Sequence, residues 1–184
     1  PDINRLLRLS ESIEKFNKHK IPFFVSCPEK DLVEFKQALT GFPNIEIFTD
    51  EELLQRSVQA AGVSQDELDG LPAHLVQQVV KAEYWRMNIS ENYLIIDSDS
   101  YFIRMFDVGD FMADSETPYT VMHESKDLLG FAARNGKDNI LKDYRELRSQ
   151  FQAIFGRKGK LFDFGPTPVI WSSKVWQALY ETYA

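Results

Sequence analysis

No apolar run in this chain approaches the length of a membrane span, and no secretory signal is visible. There is one cysteine, Cys27, which excludes an internal disulfide framework and fits a reducing compartment. The expected location is the cytoplasm, either free or at the membrane periphery. Basic stripes are missing as well: the formal net charge is −7, so nucleic acid is excluded as the main partner. Neither an internal repeat, a low-complexity segment nor a convincing linker interrupts the pattern. What is present is a globular composition, 43% hydrophobic and 13% aromatic, over 184 residues. That length allows one domain with a real core and is too short for two large ones. The chain starts on Pro1 rather than Met and stops inside a helical pattern at Ala184, as expected of an excerpt from a longer protein.

Hydrophobic spacing orders the elements. Leu6, Leu7, Leu9, Ile13 and Phe16 predict a helix over residues 5–18. Ile21 to Val25 reads as a first buried strand, opened by Pro22 where a ladder donor is least missed. Ser26 or Cys27 is expected to cap the next helix, with Pro28 in its first turn, a stripe of Leu32, Phe35 and Leu39, and Gly41 as the stop. Ile45 to Phe48 reads as a second strand. Thr49 and Glu52 then form a capping box before a helix carrying Leu53 and Leu54. This alternation predicts an α/β fold, a mostly parallel central sheet flanked by helices.

Residues 62–72 show no clear periodicity, and Ala73 to about Met87 reads as the following helix. On that helix His74, Gln78 and Lys81 share a polar side, with Gln77 beside them. Such a stripe is ordinarily a solvated face, yet Lys81 could neutralise a phosphate as a point charge. Further on, a strand is expected at Tyr119 to Met122, followed by His123, a candidate metal or substrate ligand, and Glu124. Ile140, Tyr144, Leu147, Phe151 and Phe155 mark a helix over residues 138–155, with the stripe read as core and Gly156 as its stop. Arg157, Lys158 and Lys160 read as a solvated turn. Leu161 to Trp171 reads as a Gly- and Pro-rich loop feeding a short strand, with a helix capped at Ser172 or Ser173 after it. Asp163 and Thr167 stand in that loop, the kind of segment on which functional groups concentrate.

The chemistry centres on Asn92 to Arg104, NYLIIDSDSYFIR. Tyr93 to Ile96 form a short buried strand that ends on Asp97, Ser98 and Asp99. On extended backbone, residues two apart point the same way, so both carboxylates could face one ligand. At roughly 6 Å and an effective dielectric near 20, their repulsion is on the order of 3 kcal/mol. A divalent cation reverses that sign, and hard oxygen donors suit Mg²⁺ or Mn²⁺. The plainer alternative is a turn in which Asp and Ser bond their own backbone.

Taken together, these pieces resemble glycosyltransferases of the GT-A type, and more narrowly a group of bacterial sugar-transferase-like proteins with DxD centres. The matching stretches are Ser26 to Leu32, Thr49 to Leu53, Gln77 to Lys81, Tyr93 to Arg104 and Thr167 to Trp171, spanning about residues 21–180. The resemblance implies a single Rossmann-like GT-A domain over 1–184, with a nucleotide-sugar half at about 20–104 and an acceptor half at about 105–184. It also implies transfer of a sugar from a nucleotide-diphosphate donor to a glycan, lipid-linked or surface-polymer acceptor, as in polysaccharide biosynthesis. Carried over, Asp97 meets ribose or metal-bound water and Asp99 binds Mn²⁺ or Mg²⁺. Ser26 and Pro28 border the base or ribose, and Lys81 faces the phosphates with Gln77 or Gln78. Ser98 belongs to the same nucleotide-sugar contact, and Thr167 borders the sugar or acceptor. No motif fixes a catalytic base: Glu124 and Asp163 are candidates, and His123 is a candidate further metal ligand.

Two other classes compete. A buried strand followed by DxD also opens haloacid dehalogenase-like phosphatases, in which the first Asp is a nucleophile. Here, however, Tyr101 stands where those enzymes usually have Thr or Val, and the acidic strand comes halfway along the chain. The other alternative is a non-catalytic nucleotide-sugar-binding module.

Overall fold

The computed structural model describes residues 3–62, 64–122, 124–156, 158–160, 162 and 168–183. The fold is mixed α/β. In chain order it comprises α1 (Ile3–Phe16), β1 (Phe23–Cys27), α2 (Leu32–Ala38), β2 (Ile45–Thr49), α3 (Asp50–Ala61), α4 (Gln65–Asp69), α5 (Ala73–Glu83) and β3 (Asn92–Ile95). These are followed by α6 (Lys126–Arg134), α7 (Asp138–Phe155), β4 (Val169–Ser172) and α8 (Ser173–Tyr183). The chain divides into two compact units, one of residues 1–119 with 170–184 and one of residues 120–169.

In the larger unit β1 and β2 pair in parallel, Phe23 opposite Ile45 through to Cys27 opposite Thr49. Strand β3 pairs with β4 in a second two-stranded sheet. Among the described residues the strands thus form two small sheets, not the larger parallel sheet that the alternation predicts. Tyr119 to Met122 form no strand either. An antiparallel bridge joins Met112 to Pro118, closed by the Asp114 carboxylate accepting the N–H groups of Glu116 and Thr117 at 2.8 and 2.7 Å. Beyond it, Val121 and Met122 are exposed and have no ladder to join.

Two apolar clusters hold the larger unit. Leu6, Val25 and Leu39 pack with Phe23, Phe35, Ile45 and Ile47, joining α1 and α2 to the parallel pair. Leu53, Leu54, Leu68 and Val80 join α3, α4 and α5, with Val76, Val79 and Met87 packed against them. The entry to α3 has a capping box. The Thr49 hydroxyl accepts the Glu52 N–H at 3.1 Å, and the Glu52 carboxylate accepts the Thr49 N–H at 2.9 Å. Helix α4, in a stretch that lacks periodicity, starts on a similar box between Ser64 and Glu67.

After α5 a 3₁₀ turn, Tyr84–Met87, ends on Asn88 in the left-handed region (φ 53°) and turns the chain into β3. Rings continue the core across these elements: Phe24 meets Tyr84 at 6.0 Å, Tyr84 meets Tyr93 at 4.7 Å and Tyr93 meets Trp171 edge-on at 6.3 Å. The Arg86 guanidinium lies over both Trp85 and Tyr180, 4.4 and 4.3 Å from the ring centroids, and pairs with Glu83. Helix α8 is thereby pinned beside β3, where the Ser173 N–H and hydroxyl donate to the carbonyls of Glu91 and Ser90 at 2.8 and 2.7 Å.

In the smaller unit α7 covers Asp138–Phe155, as its periodicity predicts, and Gly156 ends it in the left-handed region. Its stripe is not a closed core: Leu147 and Phe151 remain 46% and 43% exposed, although Phe151 and Phe155 stack at 5.7 Å.

Leu53 is 1% exposed, so Leu53→Ala should lower unfolding stability by about 2–5 kcal/mol, whereas Thr49→Ala, which removes one cap, should lower it by about 1 kcal/mol. Urea-denaturation midpoints of the two variants, compared at equal slope, check the ranking.

Candidate acidic site

The acids emerge at the carboxyl end of β3. Tyr93 is buried and ringed by aromatics, so a strand of such neighbours can carry carboxylates only past its end. Past Ile95 the backbone bends instead of staying extended. The Ser100 N–H donates to the Asp97 carbonyl at 3.0 Å, which makes Asp97 to Ser100 a turn with Ser98 and Asp99 at its corners. The expectation that extended backbone aims both carboxylates the same way therefore fails. The cause is local: Asp and Ser favour such turns, and no partner strand continues beyond β3 to keep the chain extended.

Each acid meets a cation from a different helix. The Lys81 ammonium of α5 donates to Asp97 Oδ1 at 2.6 Å. The Lys81 side chain is 17% exposed and that of Asp97 41%. Charge-assisted contacts of this length are strong in gross terms, on the order of 4 kcal/mol at 4 Å and an effective dielectric of 20. The net contribution of a pair this open to water is nearer 1 kcal/mol or less. Asp99 sits 3.9 Å from Arg5 of α1, both side chains more than half exposed, a looser contact. Sequence reasoning missed Arg5, since it lies far along the chain from Asp99 and no local pattern pairs the two.

Helix α1 holds the stretch that follows. The Phe102 N–H donates to the buried Ser12 hydroxyl at 3.0 Å, the Phe106 N–H to the Phe16 carbonyl at 2.9 Å and the Lys18 N–H to the Phe106 carbonyl at 3.0 Å. Lys18 also pairs with Asp107 at 3.3 Å. From Arg5 to Lys18, the helix and the chain just beyond it thus run alongside residues 99–107.

A second polar group stands at the carboxyl ends of the parallel pair. Ser26, near the end of β1, donates its hydroxyl to Asp50, the first residue of α3. Ser26 is therefore no helix cap. A 3₁₀ turn, Glu29–Asp31, follows β1, with Pro28 ahead of it and the Glu29 N–H donating to the Glu51 carboxylate at 2.8 Å. Burial pushes the Asp50 carboxyl above its usual range; the Ser26 hydroxyl opposes this, while the Glu51 and Asp31 charges add to it. Cys27 is 1% exposed, and burial, reinforced by Asp50, Asp31 and Glu51, pushes its thiol up to about 11. Asp50 is a polar residue that sequence reasoning did not single out. Its signal was available: it is the first acid after a buried strand.

The remaining candidates are scattered. Gln77 and Gln78 are exposed on α5, one turn before Lys81, and Ser98 is exposed at the turn. Glu124 belongs to the smaller unit, where Lys160 at 3.0 Å and Lys126 at 3.4 Å surround it. The Lys160 hydrogen bond foremost, then Lys126, holds its carboxyl below the usual range, which makes it a weak proton acceptor. His123, Asp163 and Thr167 lie outside the described residues. Among the described residues no three His, Cys, Asp or Glu side chains converge as a metal cage. No helix among them is long and apolar enough to cross a membrane.

The chain belongs to a family of unknown function, DUF6492, whose pattern it matches over residues 1–183. No curated protein and no solved structure matches it.

Because the Asp50 carboxyl is raised in the fold, its charge opposes folding at neutral pH, and this cost disappears as pH falls below the ordinary carboxylate range. Asp50→Asn should therefore melt higher than the parent at pH 7, with the difference shrinking toward pH 4. Paired thermal melts across that range test the sign. At pH 8 only about one Cys27 in a thousand is thiolate, so the native thiol should resist a disulfide reagent that titrates it fully in denaturant.

Proposed function

We propose that this member of the DUF6492 family is a metal-dependent glycosyltransferase that moves a sugar from a nucleotide-diphosphate donor to a glycan, lipid-linked or surface-polymer acceptor. The observation that carries the reading is the acidic turn at the carboxyl end of β3, with Asp97 and Asp99 each met by a cation from a separate helix. The pairing shows that the turn draws positive charge, and a divalent ion would have to take the place of those side chains. Two carboxylates with substrate phosphates are an ordinary ligand set for Mg²⁺ or Mn²⁺. A second support is the Ser26–Asp50 pair at the carboxyl ends of β1 and β2, since ligands of open α/β sheets bind at such ends. The finer architecture is proposed on the same ground: a GT-A domain whose parallel pair forms part of the nucleotide-binding sheet.

In this reading Asp97 and Asp99 would hold the ion, which when bound would supply Lewis-acid stabilisation of the departing diphosphate. The chain's own residues position the donor. Asp99 would hold the ion, Asp97 would orient the ribose or water at the ion, and Lys81, with Gln77 or Gln78, would hold the phosphates. Ser26 and Pro28 border the base or ribose, and Ser98 contributes at the turn. Thr167 would border the sugar or acceptor, and Asp163 remains the candidate for the acceptor's proton; Glu124, whose carboxyl its lysines hold below the usual range, is the poorer candidate. His123 is the candidate additional ligand.

Mn²⁺ with a nucleoside diphosphate should raise the melting temperature. Ligand at a hundred times its dissociation constant would add about 2.7 kcal/mol to folding stability. Asp99→Ala should remove most of that gain and leave the unliganded protein folded, because its carboxylate is more than half exposed. An equal gain in the variant, or none in the parent across a panel of nucleotide sugars, would sink the assignment.

A further inference from the structure

We infer that a second copy of this chain docks on the smaller unit, with α7 of one copy lying parallel to α7 of the other. The inference is independent of the sugar-transfer reading and concerns a different face. On α7, Ile140, Tyr144, Leu147, Phe151 and Ile154 recur at steps of four, three, four and three. That is the period of about 3.5 residues that marks a seam between two paired helices. Exposure follows the same seam: Leu147, Phe151 and Ile154 are 46%, 43% and 64% exposed. Phe155, one residue off it, is half-buried and stacks on Phe151. Toward the start of α7 the seam borders a groove of about 480 Å³. Its lining is Leu128 of α6, half exposed, and Ile140, Tyr144 and Leu147, together with the acids Asp143 and Glu146. Large apolar side chains gathered on one face in this way mark an interaction surface.

The charges beside the seam select the occupant. Asp143 stands just before Tyr144 on one flank, and Arg148 just after Leu147 on the other. When two copies lie parallel about a two-fold axis, the flank carrying Asp143 faces the flank carrying Arg148 of the second copy. Flanking charges offset as these two are meet across such a seam and set its orientation. The contact is then made twice, once from each copy. In an antiparallel pair the acidic flanks would face each other, and so would the arginines. Among the described residues Asp143 has no cationic partner, and Arg148 gives a hydrogen bond of 2.6 Å to the neutral carbonyl of Gly159. A guanidinium carries five N–H donors, so most of them remain for a carboxylate. A foreign basic helix would answer Asp143 and Glu146 but repel Arg148, whereas a second copy answers both flanks at once. Being isologous, the contact closes at two copies and does not propagate.

Sedimentation equilibrium of the chain from low to high micromolar concentration should show a reversible dimer. Ile154→Lys replaces a side chain that is 64% exposed, so it should fold as the parent does and stay monomeric. Asp143→Arg alone and Arg148→Glu alone should each weaken the dimer roughly tenfold, because each sets like charges opposite one another. The two together exchange the flanks and should return the dissociation constant to near the parent's, a rescue that only a copy-to-copy contact gives. Should Arg148→Glu loosen the fold through the lost bond to Gly159, Asp143→Arg leaves that bond in place and still reads the contact. Direction is read from Ile154→Cys. In the parallel pair the two introduced thiols meet across the axis and oxidise to a cross-linked dimer, whereas in an antiparallel pair they lie toward opposite ends of the paired helices. Cys27, 1% exposed, does not compete.

A monomer at every concentration overturns the inference, and is the result expected if a different protein covers the seam. A dimer that Ile154→Lys leaves intact places the interface elsewhere and overturns it too. A dimer in which the paired reversals give no rescue, or in which Ile154→Cys fails to cross-link, overturns the parallel pairing of α7. None of these results depends on a metal or a nucleotide.

Discussion

A carboxylate at the mouth of a hydrophobic strand must reach water or a counter-ion, and Asp97 has both: its side chain is 41% exposed and the Lys81 ammonium lies 2.6 Å away. The packing of the larger unit sets that contact. Helix α5 must run so that Val80 enters the apolar cluster while its neighbour Lys81 comes out on the side of the acids. The 3₁₀ turn and the left-handed Asn88 that follow bring the chain back into β3. Moving β3 relative to α5 would separate the pair. The net energy of the ion pair is small because Asp97 is open to water, so packing holds the geometry and the charges take advantage of it.

Packing is supplied from both sides of the acidic turn. Before it, rings from β1, the 3₁₀ turn, β3 and β4 touch in sequence through Phe24, Tyr84, Tyr93 and Trp171. After it, α1 takes up residues 102–106 through backbone and Ser12 hydroxyl hydrogen bonds. The buried Ser12 hydroxyl also donates to the Leu9 carbonyl at 2.7 Å, so it stays satisfied inside the fold. The turn is thus a short free span between two anchored segments. Its corners can be exposed and charged without loosening what lies on either side.

Much of this was legible in the sequence, for reasons that can be named. Strands β1, β2 and β3 are short apolar runs, and the box at Thr49 and the stripe of α7 follow rules that depend on neighbours within one turn. The pairing of Lys81 with Asp97 is not legible locally, because 16 residues and a change from helix to strand separate them. Arg5 and the α1 contacts depend on sequence separations of about ninety residues, which no local pattern reports. Helix α6 was missed because Gly130 interrupts its stripe and Ser125 precedes it in the left-handed region (φ 52°). The hydroxyl of Ser26 was assigned to a cap when a better acceptor, Asp50, waited at the end of the neighbouring strand.

The difference between a turn and an extended DxD segment bears on how the two acids divide their work. In an extended segment they would be equivalent, facing one ligand across a common side. In the turn they are not. Asp97 also anchors the backbone, its carbonyl accepting from Ser100, and its carboxylate accepts from a lysine whose side chain is only 17% exposed. Asp99 stands at an outer corner, in loose contact with an arginine that is itself exposed. The Asp99–Arg5 contact is therefore the weaker of the two, and the Asp97–Lys81 contact the one more costly to break. The asymmetry between the two carboxylates comes from backbone geometry and burial alone.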